Sequence, residues 1–488
     1  MNILNKSITN QANRPIRVMQ FGEGNFLRGF VDYMIDIANE KGQFDGSIVL
    51  IKPIPFGDLD KFHTQEYQYT VSLRGKVDGE EKVINRTITS ISDAIDAYLE
   101  YDKYIDLAKV DTLRFVVSNT TEAGILFDET DSFDAKPAKT YPGKLTQFLY
   151  ARYNVFNGEK DKGLIILPVE LIDDNGVELK KCVMKFIDIW KLSASFKKWV
   201  EESCVFCSTL VDRIVTGYPK DEEESIWKTL GYQDNLLVTG EPFALWVIES
   251  EKEIKDELPL DKADLPVIFT DNQKPYKQRK VRILNGAHTS FVLASYLAGN
   301  DYVLESMHDK VIKKFMLDTI YNEVIPTLSL PEAELKEFAR AVIDRFENPF
   351  IKHALLAISL NSVSKWRARC MPSFLGYIER KNGELPKHLT FSIASLICFY
   401  NGKEIIEGAL IGNRDGVVYT IKDDKEVLEF FASNSSLNSF ELAKAFLSKE
   451  SFHGQDLSII NGLTEAVGNY IEEIRVDGMR KTLEHHFA

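Results

Sequence analysis

The feature that most constrains the fold lies near the N-terminus, where a short β-type run meets two glycines and then an amphipathic helix pattern. The run Ile16–Phe21 ends at Gly22-Glu23-Gly24, after which apolar residues recur at helical spacing from Phe26 to Ile37. Such glycines let a backbone approach phosphate groups, and a helix N-terminus offers free N–H groups to them. Leu27 replaces the third glycine of the usual fingerprint. The turn therefore predicts dinucleotide binding, with a purely structural turn as the alternative.

Further apolar runs follow, with helical segments between them. Ser47–Ile51, Leu113–Val117 and Gly163–Val169 are each short and nearly continuous in apolar residues, which is typical of parallel strands covered on both faces. Tyr67–Leu73 and Lys82–Ile91 flank a glycine-containing turn and indicate a β-hairpin. The sequence therefore predicts an α/β fold that begins with a Rossmann-type domain carrying an inserted hairpin.

The chain changes character beyond Lys280, where helical periodicity dominates and β-type runs become scarce. The stretch Leu258–Lys280 carries three prolines and is interpreted as a linker. The predicted helical segments of the second half are Leu284–Leu297, His308–Val324, Pro331–Phe346 and Ile351–Val363. We therefore expect a Rossmann-type domain over residues 1–275 and a mostly α-helical substrate domain over residues 276–488.

Charge and cysteine content narrow the class of protein. The 488 residues include 59 basic and 73 acidic ones, a net charge of −14 that opposes nucleic acid or an anionic membrane surface as the main partner. No apolar run approaches the ~20 residues of a membrane span, and the N-terminus lacks the pattern of a secretory signal. Five cysteines make no disulfide framework, and we read Cys204 and Cys207 as strand residues rather than zinc ligands. The expectation is a cytoplasmic enzyme with a small-molecule substrate.

The segment Lys280–Thr289 carries the most informative polar residues. On an ordinary helix, with Lys280 at 0°, Asn285 falls near ~140° and His288 near ~80°, so the three share one sector. A lysine whose pKa is lowered can accept a hydroxyl proton, while Asn285 and His288 can donate hydrogen bonds to the developing alkoxide. The pattern favours hydride-transfer chemistry at a secondary alcohol. The alternative is a helix start with a solvated lysine and a satisfied histidine.

This Lys-x4-Asn-x2-His pattern, following Gly-x-Gly-x-Phe-x-Arg, resembles the polyol-specific long-chain dehydrogenase/reductase (mannitol dehydrogenase) family. The resemblance runs from about residue 16 to beyond residue 370. Further similar blocks occur in the expected order at Val211–Ile214, Glu241–Glu249, Tyr296–Gly299 and Arg345–Pro349. The family implies an N-terminal Rossmann-type domain, a helical C-terminal domain, NAD as the usual cofactor and no metal.

Three other blocks are similar to one branch of that family, whose members interconvert D-tagaturonate and D-altronate in hexuronate catabolism. They are Ser118–Ile125, Glu170–Gly176 and Phe206–Leu210. The mannitol and mannonate branches usually have Asp-Asn-Leu within the second block, and Asp-Gly-Ser where this chain has Asn361–Ser364. The resemblance therefore implies a keto-hexuronate substrate. Fructuronate reduction and mannitol or other polyol oxidation are the alternatives, and the epimer preferred and the oligomeric state stay open.

Carried over by position, the resemblance implies that Lys280 exchanges the proton while Asn285 and His288 form the oxyanion site. Glu122 matches an acidic position of the active site, and we place it with the cofactor-binding candidates. It would serve there in proton transfer, and a carboxylate at a helix start is the alternative.

The resemblance also points to substrate-binding residues. Asp212 matches a polar position of the family, and an ion pair with Arg213 or another base is the alternative. Lys365 and Arg369 lie in a segment with three cations in five residues and suit a sugar-acid carboxylate. A cationic helix end is the alternative for them. We interpret His353 as a packed core histidine.

The cofactor-binding candidates cluster around the glycine turn. They are Phe21, Gly22, Gly24, Asn25 and Phe26. The second strand runs into Ile51-Lys52-Pro53 rather than into the acid that normally holds the adenosine ribose of NAD. A lysine there could instead meet the extra phosphate of NADP, so the sequence predicts a nicotinamide dinucleotide, NAD by resemblance, and leaves NADP open.

Overall fold

The computed structural model describes residues 1–9, 11–121 and 123–488. The chain divides into two compact units. The first comprises Met1–Arg74 and Lys82–Gln273, and the second comprises Gly75–Glu81 and Lys274–Ala488. Among the described residues, none of the helices combines the length and the apolar character that crossing a bilayer requires.

A six-stranded parallel sheet in the order β5-β2-β1-β6-β7-β8 forms the centre of the first unit. Smaller sheets join β10-β11-β3-β4 and β13-β12-β9. The strands are β1 Ile16–Phe21, β2 Ser47–Lys52, β3 Tyr69–Val77, β4 Glu80–Ile88, β5 Ile91–Asp96, β6 Phe115–Ser118, β7 Ile165–Pro168, β8 Val205–Phe206, β9 Ser208–Asp212, β10 Val215–Gly217, β11 Val238–Gly240, β12 Leu245–Glu249 and β13 Val267–Thr270.

Helices cover both faces of the main sheet, as the apolar strand pattern predicts. Alternate residues of one strand enter different cores: Val18 packs into one hydrophobic cluster, and Met19 and Phe21 pack into the other. The helices of this unit are α1 Asn25–Gly29, α2 Val31–Glu40, α3 Asp60–Thr64, α4 Tyr101–Asp106, α5 Tyr141–Val155, α6 Asn175–Ile189, α7 Ala194–Ser203 and α8 Glu223–Leu230. The Rossmann-type fold expected from the sequence is confirmed.

Two predicted segments differ from expectation. The linker interpretation of Leu258–Lys280 is wrong, because Val267–Thr270 pairs in parallel with β12, and Pro266 and Pro275 lie outside the paired residues. The predicted hairpin forms as β3 and β4, but its tip groups with the second unit. There Lys76 pairs with Glu347 at 2.8 Å.

The second unit is mostly helical but also contains a small antiparallel sheet that the sequence analysis missed. Its strands are β14 Ile405–Ile406, β15 Ala409–Arg414 and β16 Val417–Ile421. Its helices are α9 Lys274–Arg279, α10 Gly286–Leu297, α11 Val303–His308, α12 Lys310–Asp318, α13 Glu332–Phe346, α14 Leu355–Ile358, α15 Ser362–Arg369, α16 Met371–Arg380, α17 Lys387–Phe399, α18 Lys425–Ser433, α19 Ser439–Leu447, α20 Glu450–His453, α21 Leu463–Asp477 and α22 Met479–Phe487.

Two predicted helices of this unit differ from expectation for local reasons: the helix predicted over 308–324 begins only at Lys310, and the helix predicted over 351–363 is divided. Asp309 lies between α11 and α12 and caps α12 by accepting hydrogen bonds from the backbone N–H groups of Val311 and Ile312. The predicted helix 351–363 is replaced by α14 and α15, because Asn361 adopts a left-handed conformation with φ of 54° directly before α15.

Gly163 lets the end of α7 close against the start of β7, and this contact gives a prediction about stability. A Cβ built at Gly163 would lie 2.0 Å from the carbonyl oxygen of Ser203. We expect Gly163→Ala to lower the free energy of unfolding by about 1–3 kcal/mol, because backbone atoms must shift to admit the methyl group. Gly376→Ala is the matched control: its Cβ meets only Thr327, at 3.4 Å. Thermal unfolding of both variants measures the difference, and equal midpoints would contradict the prediction.

Candidate active site

A cavity opens in the first unit where the order of the main sheet reverses. The strands β1 and β6 are neighbours, while β2 lies on the far side of β1, and ligands bind at such a switch point beyond the carboxyl ends of the strands. The cavity has a volume of about 420 Å³. It is lined by Gly22 and Gly24 after β1, Ile54 after β2, Asn119 after β6, and Thr140 at the start of α5.

The two glycines of the turn serve different purposes. Gly22 has a φ of 113°, and a Cβ on it would lie 3.1 Å from the carbonyl oxygen of Asn119, so both its conformation and its surroundings require glycine. Gly24 precedes α1 with φ of −68° and would have nothing within 4 Å of a Cβ. The space beside Gly24 is therefore open to a ligand, as a pyrophosphate cradle requires.

Arg28 holds this turn in place, a role that the sequence analysis missed although Arg28 belongs to the quoted motif. Its buried guanidinium donates to the carbonyl oxygen of Glu23 at 3.1 Å, to Oδ1 of Asn25 at 2.6 Å and to the carbonyl oxygen of Leu236. The Asn25 side chain is thereby fixed at the start of α1. Burial lowers the pKa of Arg28, against the charges of nearby groups such as Asp234.

The two phenylalanine candidates lie on either side of the turn. Phe21 is fully buried, and its ring packs 4.9 Å from Tyr141 and 5.9 Å from Tyr104. The ring of Phe26 is stacked on Phe30 at 5.0 Å. Both rings thus support the turn by packing. The backbone of Phe21 directly precedes Gly22, and that of Phe26 follows Asn25.

Lys52 at the end of β2 is 1% exposed and fully engaged. Its ammonium pairs with Asp96 at 2.9 Å and donates to the carbonyl oxygens of Ile54 at 2.7 Å and Phe56 at 3.2 Å. Burial acts to raise the pKa of Asp96, but Lys52 and the backbone N–H groups of Tyr98 and Leu99 outweigh it and hold that pKa below its usual value. Lys52 therefore stabilises the fold, and its ammonium already donates its hydrogen bonds to protein groups.

The predicted catalytic lysine, asparagine and histidine lie in the second unit, but not on the regular helix that the sequence analysis assumed. Lys280–Asn285 forms a π-helical turn, and His288 follows in the first turn of α10. A π turn bonds residue i to residue i+5, so it brings Lys280 and Asn285 nearer to one face than the predicted ~140° of an α-helix. Such turns are frequent at functional sites.

His288 is held between two rings. Phe346 is stacked on its imidazole at 4.1 Å, and His353 meets it edge-on at 5.4 Å. Its Nε2 is buried and has no hydrogen-bond partner within the described residues. Burial is the main cause that lowers the pKa of His288 well below its ordinary value, and His353 and Arg345 add to it. The imidazole is therefore neutral near pH 7, and its buried Nε2 makes no hydrogen bond to the part of the chain that the structure describes.

Both predicted substrate-binding cations of the second unit lie beside this histidine. The Arg369 guanidinium donates to Oγ1 of Thr289 at 3.4 Å, and the charges of Arg369 and Lys365 contribute to the lowered pKa of His288. Lys365 donates to the carbonyl oxygen of Ile358 at 2.9 Å. Burial and then the neighbouring Arg369 lower its pKa, against Asp423.

Arg345 and His353 join this group, and sequence reasoning missed them. The positive charge of Arg345 acts on both histidines, His288 and His353, and lowers both pKa values after burial. His353 was interpreted as a packed core residue, whereas it is half-buried and contacts His288. Arg345 begins one of the blocks similar to the family, but no local pattern indicates that either residue lies beside His288, because α13 and the loop after it approach α10 only in the folded chain.

Two predicted site residues remain, Asp212 and Glu122. Asp212 is the buried last residue of β9 in the first unit. Its neighbour Arg213 makes its hydrogen bonds to the carbonyl oxygens of Gly29, Pro242 and Phe243 rather than to Asp212. Glu122 lies outside the described residues.

Cys204 and Cys207 flank β8, as the strand interpretation predicts. Both are buried free thiols, and burial raises their pKa values, to about 11 and about 12. Buried thiols with raised pKa values are poor metal ligands, since a metal binds the thiolate.

Comparison with known proteins places these features in context. Residues 16–262 match the mannitol dehydrogenase Rossmann domain family, and residues 272–475 match the mannitol dehydrogenase C-terminal domain family. The chain is 43% identical over 487 residues to altronate oxidoreductase of Yersinia enterocolitica, which covers 98% of this chain and 99% of that protein. It is 44% identical over 490 residues to altronate oxidoreductase of Escherichia coli, with 99% of each covered.

Among solved structures, the chain is similar to mannitol 2-dehydrogenase of Pseudomonas fluorescens, determined as a ternary complex with NAD and D-mannitol. The TM-score is 0.65, the identity is 22%, and the alignment covers 99% of each chain. This likeness extends over the whole chain and concerns the fold.

The environment of His288 gives a prediction about its charge. Burial and three neighbouring cations disfavour the imidazolium form, so we expect His288 to stay neutral from pH 8 down to below about pH 6.5, the ordinary histidine pKa. Nuclear magnetic resonance of protein labelled at histidine Cε1, with His288→Gln to assign the signal, measures this. A His288 signal that titrates at or above the ordinary pKa would show that the cations do not act on the ring as inferred.

Proposed function

The chain belongs to the mannitol dehydrogenase family, and we propose that it is an NAD-dependent reductase that interconverts D-tagaturonate and D-altronate. In this proposal residues 1–275 bind the dinucleotide and residues 276–488 bind the sugar acid. The full-length identity of 43–44% to altronate oxidoreductases supports the substrate pair. All five cysteines are free thiols, which supports the reducing cytoplasm as its location.

The observation that carries the proposal is the group of cationic side chains around His288. Arg345, Lys365 and Arg369 all lie close enough to lower its pKa. A polyol such as mannitol is uncharged and needs no such group, whereas a keto-hexuronate brings one carboxylate. Since the whole chain carries a net charge of −14, a local excess of positive charge supports a site built for an anion.

The residues of the second unit suit the chemistry at the secondary alcohol. Lys280 would accept the hydroxyl proton in oxidation and return it in reduction. Asn285 and the neutral His288 would donate hydrogen bonds to the substrate oxygen as its negative charge develops. The buried Nε2 of His288, which lacks a partner within the described residues, supports this role because a substrate oxygen would supply the missing partner.

The first unit suits a dinucleotide, which when bound supplies or accepts the hydride. Gly22 and Gly24 would cradle the pyrophosphate in the cavity of about 420 Å³. Arg28 keeps that turn in place through Glu23. Lys52 already donates to Asp96 and two carbonyl oxygens, so it does not offer the free cation that a 2′-phosphate requires, which favours NAD over NADP.

A spectrophotometric assay at the NADH band tests the proposed function. With NADH present, we expect D-tagaturonate to give the highest kcat/KM among D-tagaturonate, D-fructuronate and D-fructose. A higher value for D-fructuronate would move the assignment to the epimeric uronate. A higher value for D-fructose would replace the sugar acid by a polyol and its ketose.

Lys280 is the proposed acid and base, and replacing its side chain tests that role. We expect Lys280→Ala to lower kcat by a factor on the order of 10² or more while NADH binding stays nearly intact, because only the proton-transfer step loses a group. Lys336→Ala is the control, an exposed-helix lysine of the same unit paired with Glu332. Near-normal turnover of Lys280→Ala would remove Lys280 from the mechanism.

Arg369 is the proposed partner of the substrate carboxylate. We expect Arg369→Ala to raise the KM for D-tagaturonate on the order of 10²-fold, since losing one member of a buried charge pair typically costs a few kcal/mol. Residual activity on D-fructose should change little. Arg367→Ala, an exposed position on the same helix, should leave both activities unchanged. A proportional fall in both activities for Arg369→Ala would show that Arg369 does not recognise the carboxylate.

A further inference from the structure

A buried lysine in the wall of the first unit's cavity has neutral partners. Lys144 lies on α5 and is 1% exposed. Its ammonium donates to the carbonyl oxygen of Lys139 at 2.8 Å and to the hydroxyl of Tyr98 at 3.2 Å. Within residues 1–9, 11–121 and 123–488, no carboxylate lies within 4.0 Å of this ammonium. Burying a charge without a counter-ion costs free energy, so the buried Lys144 ammonium requires an explanation.

The position of Lys144 suggests what supplies the counter-charge. The same cavity is lined by Gly22, Gly24, Ile54, Thr140 and Lys144. We infer that Lys144 is a cofactor-binding residue whose ammonium pairs with a phosphate of the bound dinucleotide. This inference rests on the proposed function and adds a residue that the glycine turn does not predict. The phosphate belongs either to the pyrophosphate or to the 2′-position of a phosphorylated adenosine ribose.

The other charged groups around Lys144 do not neutralise it. Asp131 acts on it from a distance, and its carboxylate oxygens already accept hydrogen bonds at 2.8 Å from the backbone N–H groups of Lys139 and Thr140 and from the Thr140 hydroxyl. The Lys139 ammonium pairs with Asp128 at 2.7 Å. Tyr98 stays a neutral phenol, since burial and then Asp131 raise its pKa. Among the described residues of this wall, Lys144 is therefore a cation whose charge is left for a ligand.

The pH dependence of cofactor binding follows with a definite sign. Burial lowers the pKa of free Lys144 to about 8, against the weaker effect of Asp131. A bound phosphate stabilises the ammonium and raises that pKa. The protonated form therefore binds more tightly, so affinity is constant below about pH 7 and falls as the pH rises through and above about 8. Between the two pKa values, binding is accompanied by proton uptake.

Cofactor titrations with the variant Lys144→Met test the inference, because methionine keeps the length of the side chain and removes its charge. We expect the variant to weaken NADH at pH 7 by about 10-fold or more and to lose the decline above pH 8. NADH, ADP and NADPH serve as probes. Weakening of NADH and ADP assigns the contact to the pyrophosphate, and weakening of NADPH alone assigns it to the 2′-phosphate. Equal binding of all three by wild type and variant overturns the inference.

Two controls separate this inference from the proposed function. Lys139→Met removes an exposed lysine of the same cavity that already pairs with Asp128, and it should change NADH affinity less than threefold. If the wild type binds neither NADH nor NADPH, the proposed function fails together with the inference. Should Lys144→Met not fold, calorimetry of the wild type at pH 8.5 in two buffers of different ionisation enthalpy decides. Proton uptake supports the inference, and its absence together with a flat affinity from pH 7 to 9.5 overturns it.

Discussion

The close approach of α15 to the start of α10 is the constraint on which the arrangement of the second unit depends. Gly286 packs against the carbonyl oxygen of Arg369, and a Cβ at Gly286 would be only 3.2 Å from that oxygen. The thiol of Cys370 adds a hydrogen bond to the carbonyl oxygen of Gly286 at 3.5 Å. Since packed interiors transmit small displacements, this contact sets the position of the Arg369 guanidinium against Thr289. It also sets Lys365, one helical turn earlier, and hence the positive field at the adjacent His288.

The first unit uses its buried cations differently. Arg28, Arg213 and Lys52 give their hydrogen bonds mainly to backbone carbonyl oxygens, and Lys52 also pairs with Asp96. Carbonyl oxygens fix the direction of a cation without cancelling its full charge, so these side chains hold the loops in place. Lys144 has the same kind of neutral partners but faces the cavity. In the inference drawn above, Lys144 would differ from these structural cations because a ligand phosphate would pair with its ammonium.

Local sequence patterns predicted the parts of the molecule that depend on local interactions. The strand, glycine turn and helix around Gly22 follow from residues within one short segment, and the structure confirms the Rossmann-type fold built on it. The π turn at Lys280–Asn285 could not be predicted, because an α-helical pattern contains no signal for one inserted residue. β13 was missed because the prolines on either side of it read as a linker. The place of His353 in the site could not be predicted either, because it depends on the contact with His288 on α10, and nothing in the sequence around His353 indicates that contact.

The positive charges around His288 create one electrostatic field with two effects. They oppose protonation of the imidazole, whose pKa burial has already lowered, and in the proposed function they would also attract the anionic substrate. A neutral imidazole can donate through one ring nitrogen but does not deliver a proton as readily as an imidazolium. In the proposed mechanism, proton transfer would therefore fall to Lys280, while His288 would act on the substrate oxygen through a hydrogen bond. A bound carboxylate would cancel part of the field and favour the imidazolium, but burial, the largest of the causes, is not removed by a ligand that excludes more water. The proposed division of roles between Lys280 and His288 would therefore persist in the complex.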